Sequence, residues 1–141
     1  MDVELLWGQH IEIERLANEL LSMVSHDTRQ PIAQLRWQLA RTLMAHLAIE
    51  DKFLYPAIIG GGDPAAARTA QRFQAEMGGL AGKFSRYMSA WSDDEVRADW
   101  PAFCRETADL LAELMSRVTR ENEELYALIG DGGPRPTRLA S

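Results

Sequence analysis

Five residues of this 141-residue chain stand where a helical repeat of apolar positions calls for leucine, and all five carry charge or can ligate a metal: His10, His46, Glu50, Arg117 and Glu121. His46 and Glu50 are four residues apart, as are Arg117 and Glu121, so on a helix each pair points to one side. Groups of this kind are costly to bury unless they are paired or bound to a metal. Two imidazoles, two carboxylates and a guanidinium therefore leave two chemistries open. They form either a metal site or a buried ion-pair network.

The elements that must position them are helices. Four segments repeat apolar residues at steps of three and four, and none alternates with the period of two that a strand requires. The first, 3–24, steps through Val3, Leu6, His10, Ile13, Ala17, Leu20 and Val24. Ser25-His26-Asp27 breaks the pattern, and Pro31 fits the first turn of a second helix ending near Ile59, with Leu35, Leu39, Leu43, His46, Glu50, Leu54 and Ile58 inward. Gly60-Gly61-Gly62-Asp63-Pro64 stops that helix and starts a third, whose inward face reads Thr69, Phe73, Met77, Leu80, Phe84, Tyr87 and Trp91. Gly78 and Gly79 in its middle point to a close helix contact or a bend. Ser92-Asp93-Asp94-Glu95 is a capping region, followed by a fourth helix with Phe103, Thr107, Leu110, Leu114, Arg117, Glu121, Leu125 and Leu128 inward. Short connections between such helices predict an all-α, up-down-up-down four-helix bundle over residues 1–130, with 131–141 a flexible tail.

With these faces placed, the chain resembles the hemerythrin-like domains, also called HHE cation-binding domains. His46-Leu47-Ala48-Ile49-Glu50-Asp51-Lys52-Phe53-Leu54-Tyr55-Pro56 is similar to that family's second-helix signature H-x-x-x-E-[ED]-x-x-L-[YF]-P. Glu121-Asn122-Glu123-Glu124-Leu125-Tyr126 resembles the tail of the fourth-helix signature, and His10 in Gln9-His10-Ile11-Glu12-Ile13 the first-helix histidine. The resemblance implies a diiron carboxylate site inside the bundle, and His10, His46, Glu50 and Glu121 match its pattern. The family's third-helix histidine pair is replaced by Met77 and Ala81, and its fourth-helix histidine by Arg117. By the resemblance, all three missing ligands belong to one iron, so a mononuclear residual site is the most that is expected. Arg117 would place its charge where the second metal stood, hydrogen-bonded to Glu50 or Glu121. Iron is the expected ion, with Mn and Zn also compatible with two histidines and two carboxylates. The alternative is a metal-free ion-pair network. Glu76, beside Met77, is a substitute carboxylate ligand if the third helix is rotated by a turn.

A second segment is similar to something of another class. Ser25-His26-Asp27-Thr28-Arg29-Gln30-Pro31-Ile32-Ala33 resembles the H-box of sensor histidine kinases, which would make His26 a phosphoryl acceptor and Asp27 its acid/base neighbour. No nucleotide-binding domain or glycine-rich lid accompanies it, and a polar interhelical turn explains the same residues.

The remaining features bound the class. Lys plus Arg number 15 against 21 Asp plus Glu, a net charge of −6, which argues against phosphate-backbone partners. One cysteine, Cys104, excludes internal disulfides and thiolate clusters and is expected to be an inert buried thiol. No eighteen-residue apolar run or signal-like N-terminus is present, so a cytoplasmic protein without a membrane role is expected. Trp7, Trp37, Trp91 and Trp100 are expected in core or half-buried positions. No nucleophile, base and oxyanion donors come together, so no enzyme is expected. The expected function is metal binding or regulation, with homodimerisation through an apolar helix face left open. Reversible dioxygen binding, a job of members with two metals, is not expected.

Overall fold

The computed structural model of the chain describes residues 3–129. Gly130 and the expected tail 131–141 lie outside the described residues. Helix α1 (Val3–Val24) buries the predicted stripe and adds Trp7 and Leu16 to it, which gives the wide apolar face a core-facing helix needs. The chain turns through 25–32 and enters α2 (Ala33–Ile49) two residues later than predicted, because Ile32 is drawn into the core and stands at the N-cap. A π-helical turn, Glu50–Leu54, follows without a break and leads into α3 (Tyr55–Ile59), so α2, the turn and α3 form one rod. It stops where predicted, and Gly62 adopts φ +92°, a conformation open to glycine at no steric cost. Asp63 caps the next helix, its Oδ1 accepting from the Ala65 N–H at 3.0 Å, with Pro64 in the first turn.

Helix α4 (Pro64–Ala90) is continuous. Gly78 and Gly79 mark neither a bend nor a close contact: both are exposed, and a Cβ at either would meet nothing within 4 Å. Ser92 is a cap, as read, but of a separate short helix, α5 (Asp93–Ala98). Asp99 then caps α6 (Trp100–Arg120), which runs into a second π-helical turn, Glu121–Leu125, and a 3-10 turn, Tyr126–Leu128.

Among the described residues there is no strand, and the helices form the expected bundle. Helix α1 packs on α2 and α6, while α4 packs on α3 and α6. Contacts between ends show antiparallel neighbours: His10 near the start of α1 meets His46 at the end of α2 and Glu121 at the end of α6. At the other end, the Trp100 indole N–H donates to the His26 carbonyl at 2.9 Å. The larger apolar cluster holds Leu16, Leu20, Leu43, Phe84, Phe103 and Leu114, and the smaller holds Trp7, Leu54, Tyr55, Phe73 and Leu125. Along α1, the α2 rod and the α6 rod, the polar residues fall between the two.

At the start of α2, two positions depart from the predicted faces. Trp37 is 57% exposed rather than core or half-buried, because the start of α2 turns Arg36 inward in its place. The Arg36 guanidinium lies over the Tyr87 and Phe103 rings, 5.3 and 5.4 Å from their centroids, and donates to the Trp91 carbonyl, while its Nε and Nη1 have no partner. No described helix is long and apolar enough to cross a membrane.

Candidate metal centre

The four residues singled out as ligands converge from three rods. His10 extends from α1, His46 from the last turn of α2, and Glu50 and Glu121 open the two π-helical turns. Each is at most 1% exposed, and one donor atom from each lies within 4.8 Å of the others. His10 Nε2 stands 3.0 Å from His46 Nε2 and 3.0 Å from Glu121 Oε1. His46 Nε2 stands 3.3 Å from Glu50 Oε2 and 3.7 Å from Glu121 Oε1.

The outer ring nitrogens decide what these contacts are. His10 Nδ1 lies 2.7 Å from Asn122 Oδ1, and His46 Nδ1 lies 2.7 Å from Gln9 Oε1. An amide oxygen only accepts, so each Nδ1 carries a proton and donates it. Each neutral ring then presents a bare Nε2 lone pair to the cluster, where it faces the other lone pair and two carboxylates. Glu50 Oε1 is buried without any partner. Such an excess of acceptors in an apolar core needs a cation or added protons. The outer amides do what partners of metal-bound histidines do: they hold the tautomer and the ring orientation. The separations also suit an ion, since neighbouring ligands about 2.1 Å from a common metal stand roughly 3.0–3.4 Å apart. The residues present therefore fit a metal.

Electrostatics describe the same cluster carrying protons alone. Burial disfavours a charged His46, but hydrogen bonds and charge from Glu121 and Glu50 outweigh it and raise its pKa to about 9. Burial, and then the charge of Glu121, push Glu50 well above the usual carboxylate range. Burial would raise Glu121 as well, yet hydrogen bonds from His10 and His46 hold it below that range. Two carboxylates this close do not ionise alike, and one keeps a proton.

Four contributors were not identified from sequence: Gln9, Asn122, Tyr55 and Tyr126. The tyrosines follow from the π turns. The backbone N–H of Tyr55 bonds the Glu50 carbonyl and that of Tyr126 the Glu121 carbonyl, so each closes a five-residue turn. In an α-helix, side chains five residues apart diverge by about 140°; the wider turn brings Glu and Tyr to one side. The phenols then cross over: Tyr126 donates to Glu50 Oε2 at 2.9 Å and Tyr55 to Glu121 Oε2 at 3.5 Å. The signal was legible as a repeat, Glu-x-x-x-Leu-Tyr, at 50–55 and 121–126. π-Helical turns inside α-helices are frequent at functional sites.

The residues that the resemblance ties to a second metal bring no further ligand to the cluster. Met77 is buried and Ala81 partly so. Arg117 does not reach Glu50 or Glu121: its Nη1 donates to Glu76 Oε2 at 2.6 Å, and Arg120 Nη1 reaches the same oxygen at 3.2 Å. The inward position belongs to Val118, 1% exposed, because leaving a guanidinium partly wet at the bundle edge avoids its desolvation. Glu76 is spent on these arginines, its side chain 29% exposed, and is not a substitute ligand. His26 and Asp27 lie exposed in the turn after α1.

Comparison with known proteins agrees with this geometry. The model of the family described as the hemerythrin HHE cation binding domain matches residues 1–129. No curated protein and no solved structure matches the chain.

Proposed function

Because the chain belongs to the hemerythrin HHE cation-binding domain family, we propose that it is a non-enzymatic protein that binds one metal ion through His10, His46, Glu50 and Glu121, with iron the preferred ion. One observation carries the reading: the two Nε2 atoms stand 3.0 Å apart while each Nδ1 lies 2.7 Å from an amide oxygen, the tautomer that turns both Nε2 lone pairs to the cluster. A bound cation would neutralise the carboxylates and, if iron, supply a one-electron redox couple. Gln9 and Asn122 orient the rings, and the two phenols hold the carboxylates. Among the described residues one such ligand set is assembled, and Met77, Ala81 and Arg117 add no imidazole or carboxylate for a second ion.

Burial favours binding over catalysis. With all four residues at most 1% exposed, none presents a donor atom to bulk solvent. Ligation would instead tie α1, α2 and α6 together, so that metal occupancy changes bundle stability, which is the coupling a regulatory protein needs. A reducing compartment such as the cytoplasm suits ferrous loading and the lone Cys104.

Elemental analysis of protein purified without a chelating tag, before and after anaerobic Fe(II) addition, tests this on wild type and His46→Ala. The expected result is about one metal per chain in wild type and its loss in the variant. Two metals per chain would overturn the mononuclear reading. No metal in any sample would leave a protonated hydrogen-bond network and overturn metal binding.

A further inference from the structure

We infer that Tyr126 is a fifth ligand of this site, a phenolate oxygen that tunes it to ferric iron; the inference rests on the metal-binding reading above. The Tyr126 hydroxyl oxygen stands 2.9 Å from Glu50 Oε2, 2.9 Å from His10 Nε2 and 3.4 Å from His46 Nε2. A phenol has one proton to donate and here meets three acceptors, two of them imidazole lone pairs. Separations of 2.9 to 3.4 Å from all three match or closely approach the roughly 3.0–3.4 Å expected between neighbouring ligands of one ion.

The ring is held for that role. It stacks on the His10 ring at 5.0 Å between centroids and takes the Trp7 ring edge-on at 5.1 Å. It is 4% exposed, so the oxygen is placed before any ion arrives. Tyr55, at the matching place in the other π turn, reaches only Glu121 Oε2, at 3.5 Å. The pseudo-symmetry of the turns is thus broken by the histidines, which come from α1 and α2 and face Tyr126. Charge selects the ion. A fully buried site is favourable when its charges cancel, and two carboxylates with one phenolate make −3, the complement of a trivalent cation. Coordination releases the hydroxyl proton to solvent, as protein ligands commonly do on binding metals.

The test loads the full chain anaerobically with Fe(II), oxidises it with ferricyanide, which takes one electron per iron to give ferrocyanide, and records the visible spectrum and resonance Raman scattering. The expected result is a phenolate-to-iron charge-transfer band with phenolate ring modes. The band is lost in Tyr126→Phe, with or without retention of iron, and kept in Tyr55→Phe. Should Tyr126→Phe fail to fold, the Tyr55→Phe spectrum still decides: the third tyrosine, Tyr87, is bonded to Thr107, so a persisting phenolate band belongs to Tyr126. A ferric wild type with bound iron and no band, a band surviving Tyr126→Phe, or a band lost in Tyr55→Phe with iron retained would overturn the inference and leave the four-ligand reading standing. Wild type that retains no iron would overturn both, and the elemental analysis distinguishes the two cases.

Discussion

Replacing Asn122 by leucine removes the acceptor that holds His10 while keeping side-chain size close to that of the amide. Asn122 is 7% exposed and accepts the His10 Nδ1 proton at 2.7 Å. In the variant that N–H is stranded in the core at about 1–3 kcal/mol, unless the ring changes tautomer and turns its lone pair away from the cluster. Either course weakens ligation, and loss of a partner behind a metal-bound histidine lowers affinity about 10–100-fold, or roughly 1.4–2.7 kcal/mol. Asn122→Asp keeps an acceptor in place and is expected to bind about 10–100-fold more tightly than Asn122→Leu. Competition against a chromophoric chelator measures the Kd values, with far-UV circular dichroism to show that each variant folds. An Asn122→Leu protein that folds and binds iron with wild-type affinity would refute the reasoning, because His10 would then need no outer partner to present Nε2.

Other consequences are open to direct measurement. In metal-free protein, His46 has a folded pKa of about 9 against an unfolded 6.5, so its stabilisation is full below pH 6.5 and is lost as pH rises through 9. Glu50, also raised, acts in the same direction. The urea midpoint of chelator-treated protein is therefore expected to be higher at pH 6.5 than at pH 9, and a flat or rising profile would contradict the assignment. Gly78→Ala and Gly79→Ala, at exposed helical sites where a Cβ meets nothing within 4 Å, are each expected to add about 1 kcal/mol; a lower melting temperature would reveal a contact on that face. Arg36→Met removes two buried, unpartnered donors and is expected to raise stability by roughly 1 kcal/mol, measured by urea unfolding, where a clear loss would show that the ring contacts outweigh the stranded nitrogens. Arg117→His is expected to leave metal stoichiometry unchanged, since Arg117 serves a partly exposed Glu76; a second equivalent of iron on elemental analysis would restore a dinuclear reading.

Legibility in the sequence followed from what periodicity can carry. Apolar steps of three and four located the helices and the stop at Gly60 to Pro64, since burial of one face is a local property of each segment. The same rule failed where two phases were equally regular. From Leu114 the stripe could continue through Arg117 or Val118, and only the desolvation of a guanidinium in a packed bundle chose Val118. At the start of α2 the outcome was reversed: Arg36 went inward over Tyr87 and Phe103, and Trp37 went out. Rings that receive a cation come from α4 and α6, which no window on α2 contains.

The sequence by itself determined that His10, His46, Glu50 and Glu121 occupy core-facing positions and that the fold is all-α, because both depend on residue type and local spacing. The tertiary structure decided how those groups are served. Asn122 lies 112 residues from the His10 it orients, Gln9 lies 37 from His46, and Tyr126 lies 76 from Glu50. Which side chain meets which across such separations is set by the register of α1 against the α2 and α6 rods, and by π turns that shift Tyr55 and Tyr126 to the side of their glutamates. Helical periodicity assigns a residue to a face; the packing of one face on another assigns its partner.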